Sequence, residues 1–152
     1  MNASFNEPAL PPLAEFPGHG IRRLQQLAVA RFMQETEGLG LTPVQFAVLQ
    51  ALQAQPGLDQ KKLADSVSFD TSTIGAVIDR LEAKQWLTRS LSPQDRRVRL
   101  LHLTPAGNAQ LEQALPAVQR VQEHILQPLQ DDERALFCQL LRKLIAAPSS
   151  EA

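Results

Sequence analysis

The nine residues Ser92–Leu100, SPQDRRVRL, place three arginines and one acid in a single short stretch. Guanidinium groups bind phosphates, and arginine also enters the narrow minor groove of A·T-rich DNA. Between residues 89 and 99 four arginines stand against one acid, although the formal net charge of the chain is −1. We interpret Arg96 and Arg97 as DNA contacts and Asp95 as the partner that orients Arg97; an ordinary solvated loop is the alternative.

The neighbouring elements favour a DNA-binding arrangement over a solvated loop. Two β-prone runs, 86–91 and 98–103, bracket the arginines and predict a β-hairpin with a basic tip. Before it, Asp59 and Asp70 are candidate N-caps of two consecutive helices, the second running from Thr71 to about Lys84. The apolar residues of that second helix recur at i, i+3, i+4 and i+7: Ile74, Val77, Ile78 and Leu81. A helix-turn-helix followed by a hairpin predicts a winged helix.

The outward face of helix 71–84 carries small polar residues near its N-terminus, which permit close approach to a major groove. Asp79 on the same face would repel phosphate unless it is paired, and an ordinary amphipathic helix is the alternative reading. The predicted DNA contacts are Gln60, Lys61, Asp70, Thr71, Ser72, Thr73, Gly75, Ala76, Arg80, Arg96 and Arg97, with Asp95 positioning the wing.

Long helical segments flank this core and predict a mainly α (α+β) fold. We expect an extended N-terminal arm over 1–17, a single domain over 18–147 and a tail over 148–152. Within the domain, the winged core spans about 57–103, and the flanking helices span about 18–38 and 105–147, with a kink or break at Pro116. The flanks carry more apolar surface than so thin a module buries, which favours a two-fold dimer interface over one intramolecular core.

Composition bounds the remaining possibilities. The 152 residues are 43% hydrophobic and 20% charged, which is typical of one globular domain. One cysteine and three scattered histidines give neither an internal disulfide nor metal-ligand spacing, and we expect no cofactor. Neither a signal peptide nor a membrane span is evident, so a cytoplasmic protein without a membrane partner is predicted. Because no constellation of catalytic groups is present, an enzyme is the least favoured class.

Four stretches together resemble the MarR (multiple-antibiotic-resistance regulator) family: IDRLE, KQWLTR, the DRR of SPQDRRV, and LHLTPAG. Gln85 stands where the family usually has glycine. The helix order extends the resemblance to about residues 18–147. The resemblance implies an obligate homodimer on a pseudo-palindromic operator, with helix 71–84 in the major groove and the wing arginines in the minor groove. Half-sites about one helical turn apart are then expected.

The resemblance also implies control by a small, often aromatic and anionic, ligand or by cysteine oxidation. The start of the first helix is similar to a segment of family members that govern the breakdown of aromatic acids. His19, Arg22 and Arg23 are candidate carboxylate ligands, with Phe46 as an apolar wall. Surface or dimer ion pairs, with His19 as a helix cap, are the alternative. Redox sensing through Cys138 is the less favoured mode of control, because the thiol lies in a core-like helix.

The sequence therefore favours a ligand-responsive transcriptional repressor with double-stranded DNA, a second copy of itself and a small aromatic acid as partners. A winged-helix adaptor that binds protein rather than DNA is the alternative from another class. Such an adaptor would not need arginines at the wing tip or a small polar face on the preceding helix.

Overall fold

Six α-helices and one two-stranded sheet make up the described part of this computed structural model, residues 10–147. The helices are α1 (Pro17–Glu35), α2 (Pro43–Ala54), α3 (Gln60–Val67), α4 (Thr71–Ala83), α5 (Pro105–Leu126) and α6 (Asp131–Ala146), and the strands are β1 (Leu87–Leu91) and β2 (Arg99–Leu103). This order confirms the predicted mainly α winged helix-turn-helix with a two-stranded wing.

Side-chain caps begin the helices that carry the site. Asp59 accepts a hydrogen bond from the backbone N–H of Lys62 at 2.9 Å, and Asp70 accepts one from Thr73 at 2.8 Å. Each cap satisfies a donor that the first turn of a helix leaves unpaired. Between α3 and α4, Ser68 takes the left-handed conformation, with φ of 57°, and reverses the chain. The two predicted caps and the turn between them thus set the helix-turn-helix.

The wing is anchored at its base. β1 and β2 pair antiparallel from Leu87 opposite Leu103 to Leu91 opposite Arg99. Leu101 of β2 also bonds to the segment before α3, donating its N–H to the carbonyl of Leu58 at 2.9 Å. Since Leu87 and Leu101 are both buried, the base of the hairpin belongs to the core, while its tip projects from it.

The α1–α2 loop connects the flanking helices to the winged core. The carbonyl of Leu39 accepts a hydrogen bond from Gln110 of α5 at 2.6 Å. The next carbonyl, that of Gly40, accepts one from the ammonium group of Lys84 at the end of α4, at 2.5 Å. Gly40 has a φ of 65°, a conformation that glycine adopts without strain. Two consecutive carbonyls therefore join this loop to two different helices.

The buried core joins α2, α3, α4 and the wing, and it extends along α5 to Phe32 of α1. In contrast, α6 has no buried residue. Within residues 10–147, no helix combines the length and apolar character that a membrane crossing requires.

The structure differs from the sequence-based prediction at two places in the flanks. Leu13–Glu15 form a 3₁₀ helix in the arm predicted to be extended, and α1 begins at Pro17; residues 1–9 and the predicted tail over 148–152 lie outside the described residues. Of the kink or break predicted at Pro116, the break is wrong, because α5 continues through this residue. An interior proline costs about 3 kcal/mol. Buried Ala114 and Val118 on either side, in a helix packed against α1, offset that cost.

The start of α5 approaches the base of the wing backbone to backbone. Gln85 adopts the left-handed conformation, with φ of 61°, where the family usually has glycine. Its carbonyl accepts a hydrogen bond from the hydroxyl of Thr104 at 2.7 Å, and the N–H of Thr104 donates to the carbonyl of Trp86 at 3.1 Å. A Cβ on Gly107 would lie only 1.9 Å from the same Trp86 oxygen. Only glycine fits at this contact.

We therefore expect Gly107→Ala to destabilise the protein by about 1–3 kcal/mol or more, because backbone atoms must move apart. In an ordinary helix the same change stabilises by roughly 0.5–1 kcal/mol. Gly20→Ala in α1 is the matched control, since a Cβ there meets no atom within 4 Å. Urea unfolding of both variants measures the difference, and a Gly107→Ala protein as stable as wild type would contradict the contact.

Candidate nucleic-acid interface

Helix α3, the start of α4 and the wing line one open cleft of about 650 Å³. Four of the predicted DNA contacts lie along it: Gln60, Lys61, Thr71 and Arg97. The cleft brings together residues that are up to 40 positions apart in the chain, from Asp59 to Arg99. Helix-turn-helix and wing therefore present one shared surface.

The outward face of α4 carries small side chains near its N-terminus, as the sequence predicted. Ser72, Thr73, Ala76 and Arg80 are exposed, and Gly75 is half-buried beneath α3. A Cβ on Gly75 would lie 2.9 Å from the amide nitrogen of Gln60. That amide donates to the carbonyl of Thr71 at 3.0 Å. Gly75 thus makes room for a hydrogen bond that fixes α3 against α4, and one donor of Gln60 is already engaged.

Asp70 and Thr73 are engaged with each other at the N-terminus of α4. The Asp70 carboxylate accepts from both the N–H and the hydroxyl of Thr73. These hydrogen bonds, the side-chain one foremost, hold the pKa of Asp70 below its ordinary value. The observed contacts of Asp70 are those of a helix cap, and a direct contact of this carboxylate with DNA stays a prediction.

The wing tip is organised by Ser92 and Asp95. Ser92 is 7% exposed, and its hydroxyl oxygen accepts from the N–H groups of Gln94 and Asp95 at 3.3 and 3.4 Å. Asp95 accepts from Nε and Nη2 of Arg97, both at 3.2 Å, and from its backbone N–H at 3.0 Å. The Arg97 guanidinium lowers the pKa of Asp95. Arg97 is nevertheless 91% exposed, so it is held in place and still accessible.

Arg96 is also exposed at the tip, and within residues 10–147 it forms no salt bridge. The two wing arginines therefore differ in kind. A carboxylate orients Arg97, whereas Arg96 has no ion-pair partner among residues 10–147.

The repulsion expected from Asp79 is removed by Arg89 of β1. The Arg89 guanidinium binds the carboxylates of both Asp79 and Glu82 on α4. These contacts, that with Asp79 foremost, raise the pKa of Arg89. The single charge of Arg89 offsets part of the negative charge of these two acids and ties α4 to the first strand of the wing.

Sequence reasoning did not select Ser92, Lys62 or Arg99, all of which belong to the wing turn or the cleft. The position of Arg99 in the cleft could have been predicted from strand alternation. Arg99 lies two residues before Leu101 on β2, and alternate residues of a strand share a face. The face of Leu101 points to the core, so Arg99 points to the same side, towards α3.

A second group of predicted residues lies at the start of α1. Nη2 of Arg22 lies 3.3 Å from Nδ1 of His19, one helical turn away, and Arg23 is exposed. Phe46 lies apart from them in the core, where its ring packs edge-on against Phe32 with centroids 6.1 Å apart. The ligand-binding role of these four residues stays a prediction.

A cavity of about 200 Å³ lies where α1, the start of α2 and α5 meet. Phe32 lines it, whereas Phe46 does not. Gln25 and Gln122 are its polar side chains. Phe32 is thus the aromatic residue of this cavity, and the role of Phe46 as a wall of the ligand site stays a prediction.

An adjoining cavity of about 310 Å³ shares Gln25 and Gln122 and extends to Phe137 and Cys138 of α6. Its other lining residues are apolar, and none is charged: Ile21, Leu24, Ala28, Ile125, Leu126 and Leu141. A cation beside a thiol favours the reactive thiolate. The lining of this cavity supplies none to Cys138.

Comparison with known proteins identifies the group to which this surface belongs. Residues 41–98 match the sequence profile of the MarR family. The transcriptional repressor NicR of Pseudomonas putida is 32% identical over 133 residues, which cover 88% of this chain and 84% of NicR. This chain belongs to the MarR family.

Solved structures of MarR-type regulators share the fold over almost the whole chain. BpsR of Bordetella bronchiseptica, whose DNA binding is regulated by 6-hydroxynicotinic acid, is 35% identical, with a TM-score of 0.87 over 91% of this chain and 99% of BpsR. The repressor CouR, bound to a 23-mer DNA duplex, is 31% identical, with a TM-score of 0.82 over 88% of this chain and 94% of CouR. The protein is thus a MarR-type transcriptional regulator, a non-enzymatic DNA-binding protein.

Proposed function

We propose that this MarR-family regulator is a homodimeric repressor that a small aromatic carboxylate releases from a pseudo-palindromic operator. The observation that carries the proposal is the single surface formed by α3, the start of α4 and the basic wing tip. Helix α4 would enter a major groove through its small, exposed N-terminal face. The wing arginines would reach the adjacent minor groove.

The homodimer is supported by apolar surface that a single chain leaves exposed. On α6, Leu136, Leu140, Leu144 and Ile145 are 54, 47, 66 and 79% exposed. On α1, Ile21, Leu27 and Met33 are exposed as well. Contiguous apolar surface of this kind marks interaction sites, and two-fold self-association is the commonest way to cover it. Dimerisation through the terminal helices would place two α4 helices on one duplex.

We expect Leu140→Glu to raise the dimer dissociation constant by at least about 100-fold, because it buries a charge in the proposed interface. Since Leu140 is half exposed in the single chain, the helical content should persist. Sedimentation velocity and circular dichroism measure the two effects. Gln139→Glu, an exposed neighbour that receives the same charge, is the control. A Leu140→Glu protein that remains dimeric at low micromolar concentration would refute the α6 interface.

We expect Arg97→Ala to weaken operator binding by about tenfold or more while the dimer persists, because two wing contacts per dimer are lost. Fluorescence anisotropy with the duplex that wild-type protein selects from a random-sequence pool measures the loss. Arg31→Ala removes the same charge from α1, far along the chain from the wing, and should change the affinity by no more than about twofold. An unchanged affinity in Arg97→Ala would show that the wing has no such role, and selection of no sequence at all would favour a protein-binding adaptor.

The effector site is supported by the cavity between α1, α2 and α5 and by the cations at the start of α1. Apolar walls with two glutamine amides suit a small aromatic ring, and a carboxylate needs a cation or donors. In a dimer, the start of α1 from one protomer could complete the cavity of its partner. BpsR, which responds to 6-hydroxynicotinic acid, makes nicotinates and benzoates the first compounds to try.

We expect Arg22→Ala or Arg23→Ala to raise about tenfold the effector concentration that half-releases the operator, because a charge-assisted hydrogen bond is lost. A thermal-shift screen of hydroxybenzoates and hydroxynicotinates would first identify the probe. Operator affinity without effector is the internal control and should stay unchanged. If both variants respond to the effector as wild type does, the carboxylate assignment is wrong.

A further inference from the structure

The cleft between α3 and β2 is lined by charged side chains from α3 as well as from the wing. Lys61 and Lys62 of α3 lie on one wall, and Arg97 and Arg99 belong to the wing on the other. Asp59 and Asp65 of α3 are the acids that line it. Which of these charges are already neutralised determines what the cleft can bind.

Two of the four cations have internal partners. Lys62 lies 3.9 Å from Asp59, and Arg97 binds Asp95 at the wing tip. Within residues 10–147, neither Lys61 nor Arg99 forms a salt bridge. One unpaired cation therefore stands on each wall of the cleft, with Asp65 as the remaining acid.

The strand register places Arg99 in the cleft independently of its charge. Arg99 pairs with Leu91 at the outer end of the hairpin, and it shares a face of β2 with buried Leu101. Because Leu101 is bonded to Leu58 just before α3, the strand cannot slide relative to that helix. The backbone of Arg99 is thus held in a fixed position relative to the start of α3.

We infer that this cleft binds one phosphodiester of the operator backbone, between Arg99 on the wing and Lys61 on α3. The inference rests on the proposed function, since it requires α4 and the wing to lie on DNA. Two cations and one carboxylate leave about one positive charge, which matches the single negative charge of a phosphodiester. The cleft is open and continuous with Thr71 at the start of α4, so a backbone strand can pass through it.

Salt dependence of binding tests the inference directly. Each phosphate contact contributes about 0.9 to the slope of log K against log salt, so Arg99→Gln should lower that slope by about 1.8 per dimer. The measurement uses anisotropy with the duplex that the wild-type protein selects from a random pool, at about 50 to 200 mM KCl. Because phosphates carry no sequence information, the preference for this duplex over a scrambled one should change by less than about twofold.

Three companion variants separate a phosphate contact from a structural effect. Arg99→Lys keeps the charge and should keep most of the slope. Arg31→Gln removes a cation from α1, which does not line the cleft, and should leave the slope unchanged. Asp65→Asn removes the unpaired acid and should tighten binding about two- to fivefold at low salt, a gain that misfolding cannot produce.

The outcomes distinguish the inference from the proposed function. If wild-type protein binds its selected duplex and Arg99→Gln retains the full slope, the inference is wrong and the proposed function stands. If Asp65→Asn binds no tighter than wild type, the inference is likewise overturned. If wild-type protein selects no DNA, both fail together.

Discussion

The close approach of Gly107 to the Trp86 carbonyl is the constraint on which the placement of the wing depends. At this point α5 begins against the backbone of the α4–β1 turn, with no side chain between them. Thr104 adds two hydrogen bonds to the same turn, through its hydroxyl and its N–H. The long flanking helix and the DNA-reading motif therefore start from one rigid junction, and the orientation of one fixes that of the other.

Internal pairing explains how a chain of net charge −1 presents a surface suited to a polyanion. Arg89 pairs with both Asp79 and Glu82 and offsets one of their two charges, Arg97 pairs with Asp95, and the N-terminus of α4 stabilises the charge of Asp70. These acids therefore hold α4, β1 and the wing turn in position. The cations of this surface that form no salt bridge within the described residues, Lys61, Arg80, Arg96 and Arg99, remain available to phosphate.

The parts that could be predicted from sequence are those that depend on local chemistry. Asp59 and Asp70 act as caps because a cap involves only the next three residues, and the hairpin follows from its alternating pattern. The break at Pro116 was predicted wrongly, since packing against α1 outweighs the local cost. The pairing of Arg89 with acids on another element, and the position of Phe32 at the cavity wall, depend on tertiary packing that no local pattern encodes.

The α1–α2 loop limits how far α4 and α5 of one protomer can move apart. Its adjacent carbonyls, those of Leu39 and Gly40, are tied to Gln110 of α5 and to Lys84 of α4. Only the backbone dihedrals of Gly40 lie between the two tethers. A displacement of α4 relative to α5 must therefore be absorbed by the backbone of Gly40 together with the side chains of Gln110 and Lys84, and a larger one must break one of the two hydrogen bonds. The loop therefore couples the positions of α4 and α5 through two adjacent residues of the backbone.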